Sequence, residues 1–472
     1  MLRKLLSHAA IYGLAAQVPR LAGILTLPII TRYLTTVDYG VAGVVSAYIV
    51  ALSLIQSLGL SVVMVNSFAR FPSRFKWIWR QLHGFILLWS VLYTPVLVGV
   101  LYFGIPAEAY PHRWEIIALT VIPAVLFANT ELLGNVFCQM SQRPLPVALR
   151  SFVVGGLVVV LNIYTIAYLR LGYMGWFYAN FFGSVVGFFL NGYTIYLQEH
   201  LWPIFRFNWH RIKASLRVSL PVVPHNLSFF FLDASDRLVM DVLRVPLPQI
   251  GLYNIASSFG LYFQAASNAI VQAASPHYIQ LYAKPADREA ALQARNMTFA
   301  LQVLFLLGTF LLSLWLKEIF VLLIKNKALQ AAYPLGVIIL MGYNYKPMYL
   351  AVMHQLVYLE KTKLLWRVST VAGVGNMLLN LIFVPLFGIE AAAYTTFASL
   401  MYMGYSGYLL KDFRQVTSNN YHPWLWFSVT VLALLTVYGL ADADLDTKVA
   451  VTLVLGIVSG LLFFRTRKVL FA

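Results

Sequence analysis

Long apolar runs recur from one end of the chain to the other, separated by short polar breaks. Each is about the 20 residues needed to cross a bilayer as a helix. The runs predict fourteen spans: 8–31, 39–66, 78–103, 114–138, 146–169, 174–197, 217–243, 250–275, 296–324, 330–358, 364–386, 391–411, 423–440 and 448–464. The break between the ninth and tenth is the least sharp, because Lys317, Glu318, Lys325 and Lys327 blur it. Strict two-residue alternation, the mark of a membrane β-barrel, is absent. The expected fold is an all-α integral membrane bundle.

Composition agrees. Of the 472 residues 60% are hydrophobic and 11% charged, too few charges to cover the surface of a soluble domain this long. The single cysteine, Cys138, excludes an internal disulfide and a thiolate metal cage. The basic, apolar N-terminus lacks a compact core with a small-residue cleavage site, so it reads as a retained first helix rather than a leader. No phosphate-cradling GxxxxGK[ST] loop is present, so nucleotide hydrolysis by that route is not expected.

Formal charge is +17, and its distribution carries topology. Cytoplasmic loops of membrane proteins retain Lys and Arg. With the N-terminus inside, 23 of the 34 Lys and Arg fall in inner segments, 8 in outer ones and 3 within spans. Both termini are then cytoplasmic, in a cell (inner) membrane. Clustering on one folded face, which nucleic-acid binding would require, is missing. The longest polar connection, 201–216, is basic, and its Trp202 and Trp209 suit an interfacial stretch along the headgroups.

Two halves fall into register after a shift of about 210 residues, as even-numbered parallel repeats would. The expected organisation is a six-helix lobe over 1–200, the basic linker 201–216, a second six-helix lobe over 217–411, and two additional helices in 412–472. Two such lobes suit a transporter with its substrate site near the midplane.

Two stretches carry a family resemblance. PIITRYLTTVDYGVAGVVSAY (28–48) resembles the opening of polysaccharide and O-antigen flippases of the multidrug/oligosaccharidyl-lipid/polysaccharide exporter superfamily, and DRLVMDVLRVPLPQIGLYNIASS (236–258) looks like its second-half counterpart. The resemblance implies a flippase that turns a polyprenyl-diphosphate-linked oligosaccharide to the outer leaflet by alternating access. It implies a lipid-linked oligosaccharide and the bilayer as partners, together with polysaccharide assembly proteins.

Ionisable groups at bilayer depth are costly unless they meet a partner or water, and so are functional candidates. FLDASDRLVMDVL (231–243) holds four charges within one span. Asp233 and Arg237, like Arg237 and Asp241, are spaced i,i+4 and can pair along a helix face. That reading is a self-neutralising ladder; the alternative is a wet face that gates the outer mouth. Pro221 and Pro224 favour a break in this span, and Asn226 adds a polar group to its inner half. Across the pseudo-repeat, Arg20 stands against Asp233 and Glu131 against Lys346, with opposite signs. Arg20 and Lys346, with Arg237 and Asn226, are the expected binding groups for an anionic cargo. Asp233, Asp236 and Glu131 are the expected gate or coupling carboxylates, for H⁺ or Na⁺. No resident cofactor or metal is expected.

The leading expectation is a lipid-linked oligosaccharide flippase rather than an enzyme. The alternative is a cation-coupled, multidrug-type exporter of small molecules. A membrane polymerase or glycosyltransferase would need a sizeable outer loop with catalytic groups, and none is present. A non-transporting scaffold would have no use for midplane charge.

Overall fold

The computed structural model describes residues 23–283, 287–359, 361–417 and 419–470, and no strand occurs among them. Helix α1 is described over 23–30. It is followed by α2 (Thr36–Gln56), α3 (Ser61–Arg70), α4 (Phe75–Gly104), α5 (Arg113–Ile122), α6 (Ala128–Met140), α7 (Pro144–Asn162), α8 (Met174–Gly192), α9 (Trp209–Ser219), α10 (Val222–Asp233) and α11 (Ser235–Val242). The long α12 (Leu247–Tyr282) leads to α13 (Arg288–Leu314), α14 (Leu316–Leu323), α15 (Lys327–Gln330), α16 (Tyr333–Gly342), α17 (Lys346–Tyr358), α18 (Thr362–Phe387), α19 (Ile389–Tyr405), α20 (Lys411–Val416), α21 (Pro423–Leu440) and α22 (Leu445–Leu470). Among the described residues, seven helices are long and apolar enough to cross a membrane by length and composition alone. Side chains such as Leu92, Phe103, Phe152 and Leu386 are exposed on them. That outer surface is apolar where a soluble protein would be charged. The chain is a multi-pass helical membrane protein.

Several expected spans are interrupted rather than continuous. The second, 39–66, is α2 and α3 joined by a turn in which Leu58 has φ 49° and Gly59 φ 65°. A side chain at Gly59 would be strained by that backbone, and its Cβ would lie 2.6 Å from the Ser219 carbonyl oxygen. The fourth is split by a wide π-helical turn at Pro123–Phe127, and the fifth and sixth end in similar turns at Ile163–Tyr168 and Tyr193–Gln198. The seventh, 217–243, is three pieces. One break lies at Leu220–Pro221, where proline removes a backbone donor; the other is at Ala234, whose φ −142° and ψ −14° end α10 and begin α11.

The chain divides into two compact units, Met1–Asn254 and Ile255–Ala472. In the first, α7 and α6 pack on α8, and α4, α10 and α11 pack on α2. Its core gathers Leu60, Met64, Trp79, Leu82, Leu133, Phe137 and Ile212. Trp79 is fully buried, and its indole N–H donates to the Met64 carbonyl and the Ser67 hydroxyl, both at 3.0 Å. The basic segment after α8 docks on α4. Ile204 N–H donates to the Arg80 carbonyl at 3.0 Å, and the Arg80 and Gln81 side chains donate to the Trp202 and Arg206 carbonyls, each at 3.0 Å. Trp202 and Trp209 remain exposed. In the second unit, α19 packs on α16 and α18, and α13 on α16, α17 and α21.

Candidate functional site

The two stretches that carry the family resemblance pack against each other inside the first unit. A Cβ on Gly251 would fall 1.8 Å from the Thr36 carbonyl oxygen, and one on Gly40 would fall 2.4 Å from that of Leu247. Backbones this close leave room for hydrogen alone. Asn254 Nδ2 donates to the Tyr39 carbonyl at 2.9 Å and ties the opening of α12 to that of α2. Asp38 closes a capping box with Thr35 at the start of α2, and its free oxygen accepts from Tyr173 N–H at 2.8 Å.

The break at Ala234 separates Asp233 from Arg237, so the two do not share a continuous helical face. No ion pair joins Asp233 to Arg237, or Arg237 to Asp241, among the described residues. The ladder of i,i+4 bridges is therefore not formed. Asp236 is buried and accepts from the Tyr253 hydroxyl of α12. Asp241 accepts from the Tyr48 hydroxyl of α2 at 3.0 Å. Arg237 is 7% exposed, and its Nε has no partner among the described residues. Asp233 is exposed and Asn226 half-buried. Arg20 lies outside the described residues, and with it the pairing proposed across helices one and seven.

Glu131 is half-buried on α6, one turn past the π-helical segment. Its carboxylate lies against Gly187 of α8, where a Cβ would sit 2.7 Å from Oε1. No ion pair to it occurs among the described residues.

Lys346 belongs to the second unit. It follows a 3₁₀ turn, Tyr343–Tyr345, that interrupts the span, with Pro347 placed where α17 needs no backbone donor. The ammonium is buried and donates to Ser267 Oγ at 2.9 Å and Asn268 Oδ1 at 2.8 Å on α12. A buried polar seam lies nearby. Asn344 Nδ2 donates to Thr309 Oγ1 at 2.7 Å, and Gln302 Nε2 to the Asn344 carbonyl at 3.0 Å. The Ser-Asn pair in FQAASNAI is the sequence signal for this partner set. No cluster of His, Cys, Asp or Glu that could hold a metal occurs among the described residues.

Buried ionisable groups on interrupted helices thus occur in each of the two helical units, and comparison with solved structures identifies the fold. The chain is similar in fold to the lipid II flippase MurJ in an inward closed conformation, with TM-score 0.68, 12% identity, and coverage of 92% of this chain and 98% of that one. It is also similar to an inward-facing multidrug resistance MATE family transporter of the MOP superfamily, with TM-score 0.57, 16% identity, and coverage of 91% and 96%. A variant of the Vibrio cholerae MATE transporter VcmN gives TM-score 0.54 at 15% identity, with 88% and 99% covered. Comparison with curated protein sequences gave no match. The model of the polysaccharide biosynthesis protein family matches residues 5–282, and the chain belongs to that family.

Proposed function

We propose that the protein is a flippase, and not an enzyme, that moves a polyprenyl-diphosphate-linked oligosaccharide from the inner to the outer leaflet by alternating access. It serves cell-surface polysaccharide biosynthesis beside the assembly proteins that make and use its cargo. The observation that carries this reading is the family membership over residues 5–282, together with a fold similar to that of a lipid II flippase. A diphosphate needs cations in a site shielded from water, where charge-assisted hydrogen bonds are strong. Lys346 and Arg237 are buried cations of that kind, and Arg20 and Asn226 join them in this reading. Lys and Arg asymmetry supports a cell (inner) membrane location with both termini cytoplasmic.

A second reading, cation-coupled export of small molecules, is favoured by Glu131. A half-buried carboxylate with no ion pair among the described residues suits transient binding of H⁺ or Na⁺. In the flippase reading the same group, with Asp233 and Asp236, couples or gates the cycle.

The test is flipping of a polyprenyl-diphosphate oligosaccharide in reconstituted liposomes. Wild type is expected to move the cargo, and Arg20→Ala and Lys346→Ala to slow it at least tenfold at matched protein level. Small-molecule efflux from the same vesicles, with no flipping across several oligosaccharide cargoes, would sink the flippase reading.

A further inference from the structure

Two arginines on the outer surface of the first unit stand apart from the charges discussed so far. Arg143 caps the start of α7, and Arg150 lies on that helix almost two turns further on. Together they border a pocket of about 300 Å³ whose wall includes Cys138, Leu149, Tyr193 and Thr194. Arg150 is held in a fixed pose. Its Nη1 donates to Asn191 Oδ1 at 2.8 Å and approaches Cys138 Sγ at 3.7 Å, and its Nη2 donates to the Thr194 hydroxyl. No carboxylate pairs with it among the described residues. Nearby, Glu199 is shared by Arg143 at 3.2 Å and Lys76 at 3.0 Å. Two cations thus share one carboxylate while Arg150 has none, and the site lacks negative charge.

The position of the pocket identifies what supplies that charge. Arg150 is six residues past Pro144, where α7 begins, or about 9 Å along a helix that rises 1.5 Å per residue. Helical side chains lean towards the helix N-terminus, so the guanidinium returns towards the loop 141–143 and the headgroup level. The surrounding surface is greasy: Leu145, Leu149, Phe152 and Tyr193 are each more than half exposed. A basic cup at a span end, walled by exposed apolar side chains, matches a phosphate whose own body is apolar. Basic pockets between membrane helices hold anionic headgroups for this reason.

We infer that the Arg143–Arg150 pocket binds the phosphate of an anionic phospholipid, with its acyl chains along Leu149 and Tyr193. This is a lipid site on α6, α7 and α8, built from residues other than the proposed cargo-binding ones. With the proposed orientation it faces the inner leaflet. The guanidinium fork offers two parallel donors to the phosphate oxygens, and Asn191 and Thr194 pre-set its plane.

The full-length protein in detergent, titrated with phosphatidylglycerol and followed by native mass spectrometry, tests this. Apparent affinity for the first bound phosphatidylglycerol is expected to fall about tenfold in both Arg143→Gln and Arg150→Gln. Arg170→Gln, at another loop, should bind like wild type. Phosphatidylcholine binding should be the same in all four proteins. Equal phosphatidylglycerol affinity in wild type and both pocket variants would overturn the proposal. So would displacement of the lipid by equimolar inorganic phosphate, which would mark a free-anion site instead. If Arg150→Gln fails to fold, the exposed rim variant Arg143→Gln and the wall variant Thr194→Val decide the matter.

Discussion

At the scale of single residues, the informative groups are the ionisable side chains whose partners come from distant sequence. Lys346 reaches Ser267 and Asn268 of α12, about 80 residues earlier in the chain. Replacing it with Arg keeps the charge but forces a planar fork into a point-charge site. Lys346→Arg is therefore expected to retain a measurable fraction of flipping and Lys346→Met almost none, both at wild-type expression, as read by the liposome assay. Asp241 shows the other side of the same logic. Its hydrogen bond from Tyr48 joins α11 to α2, and a bond to a charged group contributes about 1.5–3 kcal/mol. Tyr48→Phe should lower the melting temperature in detergent by several degrees, and an unchanged value would remove the bond from any account of stability. That these residues are exceptional was legible in the sequence, because charge in an apolar run stands out. Their partners were not. Tyr48 and Asp241 are 193 residues apart, and a phenol in a membrane helix has many uses. The Asp233–Arg237 pair that the spacing allowed does not form because i,i+4 geometry presumes an unbroken helix.

At the scale of elements, apolar periodicity places the spans well. Helix α21 runs Pro423–Leu440, the bounds read from sequence, and α4 and α18 fall within a few residues of theirs. Interruptions were harder to see, since hydropathy averages over them. Pro221 announced its break, whereas Ala234 carries no signature: alanine is the best of helix formers. The glycines at the start of α2 and α12 were visible, but their mutual contact was not. Gly251→Ala must push Thr36 away, and overpacking of this kind costs roughly 1–3 kcal/mol. A drop in melting temperature, with transport lost in proportion to folded protein, is the expected result. At the loop between α21 and α22, Asp442 pairs with Lys317 at 2.6 Å and accepts from the Tyr333 hydroxyl at 2.6 Å. The Lys317 hydrogen bond first, and the Tyr333 one second, hold its carboxyl below the usual range. A carboxyl depressed in the folded state stabilises above its unfolded value of about 4 and loses that contribution as pH falls through the lowered one. Both partners are largely exposed, so the effect is under about 1 kcal/mol. Lys317→Ala should thus cost a little stability at neutral pH and match wild type once pH falls well below about 4, as thermal unfolding across pH would report.

At the scale of the whole molecule, charge asymmetry makes a prediction about sidedness. The lone Cys138 allows a clean background, Cys138→Ala. In it, Gln142→Cys is expected to react with a membrane-impermeant thiol reagent only after the cell is opened, and Glu108→Cys in intact spheroplasts. The reverse pattern would invert the topology. Fold class and family were legible at this scale because membrane helices advertise themselves through length and hydropathy, and because two short motifs sit where backbones touch. Cargo was not, since a binding surface spread over many helices would leave no compact signature.

The break at Ala234 has a mechanical consequence. An unbroken rod transmits twist from one end to the other; a jointed rod does not. Twelve residues of α10 lie on one side of the joint and eight of α11 on the other. The longer arm and α11, which Tyr48 and Asp241 tie to α2, can therefore lie at different angles while both remain packed on α2, as a single rigid rod could not.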